Sequence, residues 1–185
     1  RITMAGKDVN DRNLRRGYVF QQYALLPWLT VLGNVRLALE QRGVPASERD
    51  ALAREFLAMV GLEQFAHLFP NRLSGGMQQR TSVARALAFD PPILLLDEPF
   101  AALDAFTREK LQRLVVELHQ KSGKTFIYIT HNISEAVHLG DRIIVLSAHP
   151  GQVKADLPIT LPHPRSETDP AFSELVRQVH SLVEA

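Results

Sequence analysis

The run Ile93-Leu94-Leu95-Leu96-Asp97-Glu98-Pro99 narrows the choice of fold more than any other part of this sequence. Its four aliphatic residues show no polar alternation, the pattern of a strand in a parallel sheet covered on both faces. The run then stops on two adjacent carboxylates and a proline. Ligands and reacting groups in parallel sheets gather beyond the carboxyl ends of the strands, which places Asp97 and Glu98 at such a rim. Strand–helix alternation continues downstream. Thr107 to Gln120 reads as a helix with Leu111, Leu114, Val115 and Leu118 inward, and Phe126 to Thr130 as a second buried strand. Ser134 to Leu139 reads as a short helix and Ile143 to Leu146 as a third apolar strand. The class is α/β.

The segment from about Thr30 to Leu87 is helical instead. Thr30 caps a helix running to about Gln41, with Val31, Val35 and Leu39 on one face and Gly43 as its stop. Ser47 with Asp50 makes a capping-box-like start for a second helix, whose stripe is Leu52, Phe56, Leu57 and Val60 and whose end is Gly61. Leu62 to Phe69 reads as a further short helix before Pro70. Nearer the start, Ile2 to Met4 alternates like a strand, Arg12, Arg15 and Arg16 form a solvated basic patch, and Gly17 to Phe20 reads as a buried strand ending at Gln21. Tyr23-Ala24-Leu25-Leu26-Pro27-Trp28-Leu29 is strongly apolar yet broken by proline, the composition of a loop that is buried or faces a partner surface. Gln152–Ala155 reads as an edge strand, and Pro158, Pro162 and Pro164 hold an extended segment. Phe172, Leu175, Val176, Val179 and Leu182 mark an amphipathic helix over Ala171 to Glu184.

Composition removes several classes of function. With 45% hydrophobic and 22% charged residues the chain is neither disordered nor membrane-like, and no apolar run approaches the roughly 18–20 residues of a bilayer span. A net charge of +1 gives no large basic field for nucleic acid. The absence of cysteine excludes disulfides and thiolate metal sites. The chain opens on Arg1-Ile2-Thr3 with no initiator Met and no signal-peptide pattern, so it reads as cut from something longer.

Four short stretches carry chemistry. Asp97 can hold Mg²⁺ directly or through water, because that ion takes oxygen ligands and keeps several waters. Glu98 can polarise an attacking water. In Leu73-Ser74-Gly75-Gly76-Met77-Gln78-Gln79-Arg80, a serine N-cap and two glycines open a helix through about Ala88, leaving N–H groups at the positive end of its dipole as a phosphate site. His131 leaves an apolar strand and can donate to a γ-phosphate, and Gln21 can orient water and share a Mg²⁺ shell. Each alone has a plain structural reading: a strand end, a glycine-rich turn, a structural histidine, a surface amide. Gly123-Lys124-Thr125 is a decoy, since a phosphate-binding P-loop needs a Gly five positions earlier and Leu118 stands there. It also leaves a helix for a strand, the reverse of a P-loop, and reads as a helix C-cap. No other segment matches that motif.

Taken in order, Gln21, Leu73–Arg80, Asp97-Glu98-Pro99, Ala102-Leu103-Asp104 and His131 resemble the ATP-binding cassette (ABC) transporter ATPases over nearly the whole chain. The resemblance implies a P-loop NTPase-like parallel sheet with an inserted α-helical subdomain, its N-terminal part missing. Residues of about 30–87 would be the helical subdomain with the signature helix, 1–29 and 88–156 the catalytic core, and 157–185 a C-terminal extension and helix. It implies Gln21 as the Q-loop glutamine, Asp97 as the magnesium residue, Glu98 as general base and His131 as the switch histidine. Ser74, Gly75, Gly76 and Gln78 would touch ATP held by the opposite subunit, with Asp104 as the D-loop aspartate. Val19–Val31, Asp97–Asp104 and Leu146-Ser147-Ala148-His149-Pro150-Gly151 look like the importer branch for nitrate, sulfonate, taurine and related oxyanions. The chain departs from that branch at Asn132, where an Asp is common.

The implied partners are a second ATPase subunit and an integral-membrane permease, received by the Gln21–Trp28 loop and the helical subdomain. A solute-binding protein, periplasmic or lipoprotein, is an indirect partner, and no nucleic acid is implied. The location would be the cytoplasmic face of the cell membrane. Without a P-loop, the expectation is that the intact parent hydrolyses ATP while these 185 residues alone do not. The alternatives are an inert cassette acting as a binding or regulatory module, or a non-transport ABC ATPase.

Overall fold

The computed structural model describes residues 3–4, 6–8, 16–101 and 103–184. Ile2, Arg12, Arg15 and Ala102, which entered the expectations above, lie outside the described residues. The chain forms two compact units, Arg1–Ile129 and Thr130–Ala185.

In the first unit a small antiparallel pair, β1 (Thr3–Met4) and β2 (Lys7–Asp8), precedes a parallel sheet of β3 (Arg16–Val19), β4 (Ile93–Asp97) and β5 (Thr125–Ile129), in the order β3-β4-β5. Although β3 and β4 are neighbours, the chain between them makes three helices, α1 (Val31–Arg42), α2 (Ala46–Met59) and α3 (Gly75–Phe89). The crossover from β4 to β5 is α4 (Ala105–Ser122). The inserted helical segment and the α/β class thus follow the sequence pattern.

Local chemistry sets the helix ends. Thr30 caps α1 by accepting from the Gly33 N–H at 3.0 Å, and Gly43 stops it in the left-handed conformation at φ 89°. The decoy Gly123 does the same for α4 at φ 62°, its N–H reaching the His119 carbonyl. The expected Ser47 cap does not form. Pro45, at φ −55° and a non-helical ψ of 142°, occupies the N-cap of α2 without a side-chain cap, so the helix begins at Ala46 and Ser47 lies inside its first turn. The expected helix over Leu62 to Phe69 is replaced by single 3₁₀ turns, Glu63–Phe65 and Pro70–Arg72. The bonds made there are of the i→i+3 kind, from the Phe65 N–H to the Leu62 carbonyl at 3.0 Å and from the Ala66 N–H to the Glu63 carbonyl at 3.1 Å, and the carbonyls of Ala66 and Leu68 receive the first amides of α1, from Leu32 at 2.9 Å and Val31 at 2.8 Å.

The sheet buries one face. Val19, Leu94 and Leu96 join Val31, Val35, Leu39, Leu57, Val83 and Leu111 of the helices in one core, with Phe126 and Tyr128 packed against it. β3 approaches so closely that a Cβ on Gly17 would stand 2.6 Å from Pro91 Cγ and 2.7 Å from Leu94 Cδ1. The alternate residues of β5 face outward, with Ile127 45% and Ile129 50% exposed. The expectation of a buried strand over Phe126 to Thr130 is therefore met on one face only, the face of Phe126 and Tyr128 that packs against the core shared with the helices.

In the second unit, α5 (Ile133–Leu139) leads to β6 (Arg142–Leu146), which pairs antiparallel with β7 (Val153–Pro158), and α6 (Pro170–Glu184) closes the chain. Ile143–Leu146 is thus a strand, paired with its own downstream hairpin partner. Ile143 and Val145 are buried with Phe172 and Val179 of α6, the predicted amphipathic helix. Arg165 is buried and ends α5: its guanidinium donates to the carbonyls of Val137 at 2.6 Å, Gly140 at 2.8 Å and Leu161 at 2.8 Å. A cation at a helix C-terminus satisfies open carbonyls and complements the dipole.

Candidate functional site

The carboxyl end of β4 gathers four side chains of the first unit. Tyr18 is paired in register with Leu95, so by the two-residue period of a strand Tyr18 and Asp97 share a face. The Tyr18 hydroxyl donates to Asp97 Oδ2 across 3.2 Å. Loss of water around the phenol, and then the Asp97 carboxylate, raise the Tyr18 pKa above its ordinary value. One residue on, Glu98 takes φ 44°, a left-handed conformation that costs a non-glycine residue roughly 1–3 kcal/mol. Its N–H still donates to the Ile129 carbonyl at 2.9 Å, extending the β4–β5 ladder by one bond. The turn aims its side chain at the segment after β3, where Gln21 Nε2 donates to Glu98 Oε2 at 3.2 Å.

The start of α3 matches the expected N-terminus. Ser74 is its N-cap and its hydroxyl accepts from the Met77 N–H at 3.3 Å, leaving the Gly75 and Gly76 amides without intrahelical acceptors. The Gln78 side chain turns back and donates to the Leu73 carbonyl at 3.3 Å. Space at Gly75 is tight: a Cβ there would stand 2.5 Å from the Tyr23 hydroxyl, so the far end of that side chain would have to shift. The segment after Gln21 therefore touches the turn at Ser74–Gly76.

Asp104 lies at the N-cap of α4, three residues before the expected helix start, and accepts from the Thr107 N–H at 2.9 Å. That bond, the Thr107 side chain and the nearby charge of Arg80 hold the Asp104 carboxyl below the usual carboxylate range. His131 falls in the second unit and is exposed. Both of its neighbours are fixed: the Asn132 N–H donates to Thr130 Oγ1 at 3.0 Å, and Asn132 Oδ1 caps α5 by accepting from the Glu135 N–H at 3.1 Å. Thr130 Oγ1 in turn donates to the buried Glu135 at 2.5 Å. The departure at Asn132 thus preserves a helix cap.

The apolar loop differs in exposure from the expectation. Leu25, Leu26 and Leu29 are half-buried, and Trp28, 69% exposed, is its outward apolar group. Tyr18, Tyr23 and Asn34 were not singled out by sequence reasoning. Strand parity was the available signal for Tyr18; nothing local marks Asn34.

Among the described residues no group of three or more His, Asp or Glu side chains gathers to hold a metal ion. The oxygens that are present, the Asp97 carboxylate and the Gln21 amide carbonyl, are hard donors of the kind Mg²⁺ accepts with waters and phosphate oxygens completing its shell. The donor chemistry fits that ion. No helix among the described residues is long and apolar enough to cross a membrane.

A parallel sheet with helices inserted before the carboxylate strand, a serine-capped glycine turn, and a glutamine bonded to the second of two strand-end carboxylates together define an ATP-binding cassette. The ABC transporter family profile matches residues 1–101, and the chain belongs to that family. It is 48% identical over 183 residues to an ABC transporter ATP-binding protein of Methanocaldococcus jannaschii, an alignment covering 99% of this chain and 68% of that protein. It is 44% identical over 191 residues to the taurine import ATP-binding protein TauB of Rhizobium johnstonii, covering 99% of this chain and 73% of that one. The solved dimeric post-hydrolysis state of the cassette MJ0796, bound to ADP and Pi, superposes with a TM-score of 0.73 at 43% identity, over 80% of this chain and 65% of that one. The chain spans about two-thirds to three-quarters of the length of these relatives.

Proposed function

We propose that the protein containing this chain is the ATP-hydrolysing, energy-coupling subunit of an importer for a small oxyanion-type solute of the taurine, sulfonate or nitrate class. The observation that carries the reading is the Gln21–Glu98 hydrogen bond beside Asp97. It joins a water-orienting amide to a carboxylate base at a metal-type oxygen ligand. Likeness to a taurine import protein supports the solute class.

In this reading Asp97 and Gln21 hold Mg²⁺, which when bound neutralises charge on the phosphate oxygens. Glu98 accepts the proton of the attacking water, Gln21 orients that water, and His131 donates a hydrogen bond to the γ-phosphate. Ser74, Gly75, Gly76, Gln78 and Asp104 serve a nucleotide held by a second ATPase subunit, as the dimeric relative encourages. The segment of residues 30–87 acts as the helical subdomain, with the catalytic core on either side. Trp28 meets an integral-membrane permease on the cytoplasmic face of the membrane, and a solute-binding protein delivers the cargo to that permease.

The reading extends to a difference between chain and parent. The 185 residues hold no G-x-x-x-x-G-K-[ST] cradle for the nucleotide's own phosphates, so by themselves they do not turn over ATP. The test is Mg²⁺-dependent phosphate release from the purified parent, from its Glu98→Gln variant and from residues 1–185 alone. The parent is expected to hydrolyse ATP and the variant to lose at least about a hundredfold in kcat. Turnover by residues 1–185 that Glu98→Gln abolishes would overturn the second half of the reading, and a parent that binds ATP without hydrolysing it would favour an inert regulatory cassette.

A further inference from the structure

The loop that exposes Trp28 is held by one buried amide. Asn34, in the first turns of α1, is 0% exposed. Its Oδ1 accepts from the Leu26 N–H at 2.9 Å, while its Nδ2 donates to the carbonyls of Leu26 at 3.2 Å, Leu29 at 3.2 Å and Thr30 at 3.0 Å. Towards Leu26 the carboxamide thus behaves as a strand partner would, donating and accepting at one peptide unit. The second lone pair of Oδ1 is taken by Arg85 of α3, whose guanidinium donates at 3.4 Å. A carboxamide has two donors and two acceptor lone pairs, so this one is fully used.

The loop is fastened to α3 a second time, where Tyr23 lies against Gly75. Gly75 and Arg85 stand ten positions apart on one helix. At about 1.5 Å per residue the two fastenings are roughly 15 Å apart along its axis. The loop thus reaches α3 at two places, by the packing of Tyr23 at Gly75 and through Asn34 of α1 to Arg85, so its displacement is felt along that helix. The helix starts from its cap at Ser74.

We propose that Asn34 is a positioning residue that sets the pose in which Trp28 is presented to an apolar partner segment, and that the Asn34–Arg85 hydrogen bond links displacement of this loop to α3. The proposal rests on the function put forward above. It requires a carboxamide at position 34. Aspartate keeps the acceptor for Leu26 but turns two donors into acceptors facing three carbonyls, and leucine takes the side-chain partner from the Leu26 N–H and the Leu29 carbonyl, while the Leu26 and Thr30 carbonyls keep their backbone bonds from Leu29 and Asn34.

The test uses the full-length parent. Trp28 is the only tryptophan of these 185 residues; any further tryptophan in the parent is replaced by phenylalanine so that emission reports this loop. Amide exchange at Leu26 reports the pin, and Trp28 emission with and without MgATP reports the link. Asn34→Leu is expected to speed Leu26 exchange by about tenfold or more. Asn34→Asp, the variant to use if leucine prevents folding, is expected to keep Leu26 protected while shifting Trp28 emission and raising its quenching by acrylamide. Arg85→Met is expected to leave Leu26 protected and basal hydrolysis unchanged, yet to lose the MgATP-induced change in Trp28 emission that the unsubstituted protein shows. Unchanged Leu26 exchange in Asn34→Leu, or an unchanged Trp28 in Asn34→Asp, would overturn the positioning role. A MgATP response in Arg85→Met equal to that of the unsubstituted protein would overturn the link, as would an unsubstituted protein that hydrolyses ATP with no Trp28 response. A parent that neither binds nor hydrolyses ATP would instead sink the function above, while the exchange measurement would still decide the role of Asn34.

Discussion

Gln21 and Glu98 are 77 positions apart in sequence and 3.2 Å apart at the Nε2–Oε2 hydrogen bond. The amide holds the Glu98 side chain by donating to it and brings no charge of its own. Gln21→Glu replaces that donor with a second carboxylate, and two carboxylates at this distance cannot both ionise readily. In the parent the pH–rate profile should lose its plateau at neutral pH, where the pair retains one proton, and recover as pH rises and that proton leaves. Gln21→Ala should lower kcat at all pH values without moving the profile. An identical profile shape for both variants would show that the amide does not tune Glu98.

The Tyr23–Gly75 contact sets a steric prediction. Gly75→Ala places a methyl 2.5 Å from the Tyr23 hydroxyl. The clash costs about 1–3 kcal/mol, set against a helix-propensity gain of about 1 kcal/mol. Tyr23→Phe in the same chain removes the offending oxygen and should restore most of the lost stability. Urea melts of the two single variants and the double variant measure this as a coupling energy, and additive effects would mean that the ring simply swings away.

How far these contacts could be read from sequence depended on whether their cause was local. Thr30, Ser74, Gly43 and Gly123 were legible as caps and stops because the bond that fixes each lies within five residues of it. The carboxylate pair at the end of β4 was legible because an apolar run announces a strand and its end. Pro45 was overlooked in favour of Ser47, since both satisfy a plausible helix start and only the observed entry to α2 decides between them. The docking of Leu62 to Phe69 against α1 had no local sign, because the amides received by the Ala66 and Leu68 carbonyls belong to residues more than thirty positions earlier. Asn34 was hidden for the same reason in its link to Arg85, and in its loop bonds because any asparagine near a helix start looks like a solvated one. Periodicity also cannot say which face of a three-stranded sheet receives helices, so the outward pose of Ile127 and Ile129 was missed.

Thr130, Asn132 and Glu135 brace the residue between them. Thr130→Val deletes the hydroxyl that accepts from the Asn132 N–H and donates to Glu135. Removing one partner of this part-buried pair leaves Glu135 short of a donor, so the variant should be destabilised by about 1 kcal/mol while Thr130→Ser stays close to the starting protein. In the parent, Thr130→Val should also reduce ATP hydrolysis through misplacement of His131, with KM for ATP little changed. Full hydrolysis in Thr130→Val would separate the brace from catalysis.

The second unit contains a pH-dependent contribution to stability. The His163 side chain is 8% exposed, and burial followed by the charge of Arg165 push its pKa below the ordinary histidine value; His138 acts in the same direction and Asp141 opposes them. The folded state thus disfavours the protonated ring. Its contribution is fully present above about pH 6.5, the unfolded value, and is lost as pH falls from there through the folded pKa. Asp104 and Asp156 are shifted down as carboxylates, and their contributions are lost only at lower pH, below about 4. Urea midpoints should therefore fall between about pH 6.5 and 5, and His163→Gln should flatten that part of the curve. A curve of unchanged slope in the variant would assign the effect to another group.

The outward face of β5 has a consequence for the life of the polypeptide in a cell. Ile127 and Ile129, with Tyr18 on β3 and Phe20 just past its end, offer water apolar side chains on a sheet, and such surfaces recruit other chains. Produced by itself, this stretch of protein would be read by chaperones and proteases as unfinished. Its abundance would then be set by how quickly those side chains are covered, which makes synthesis and quality control, alongside chemistry, a determinant of how much cassette a cell holds.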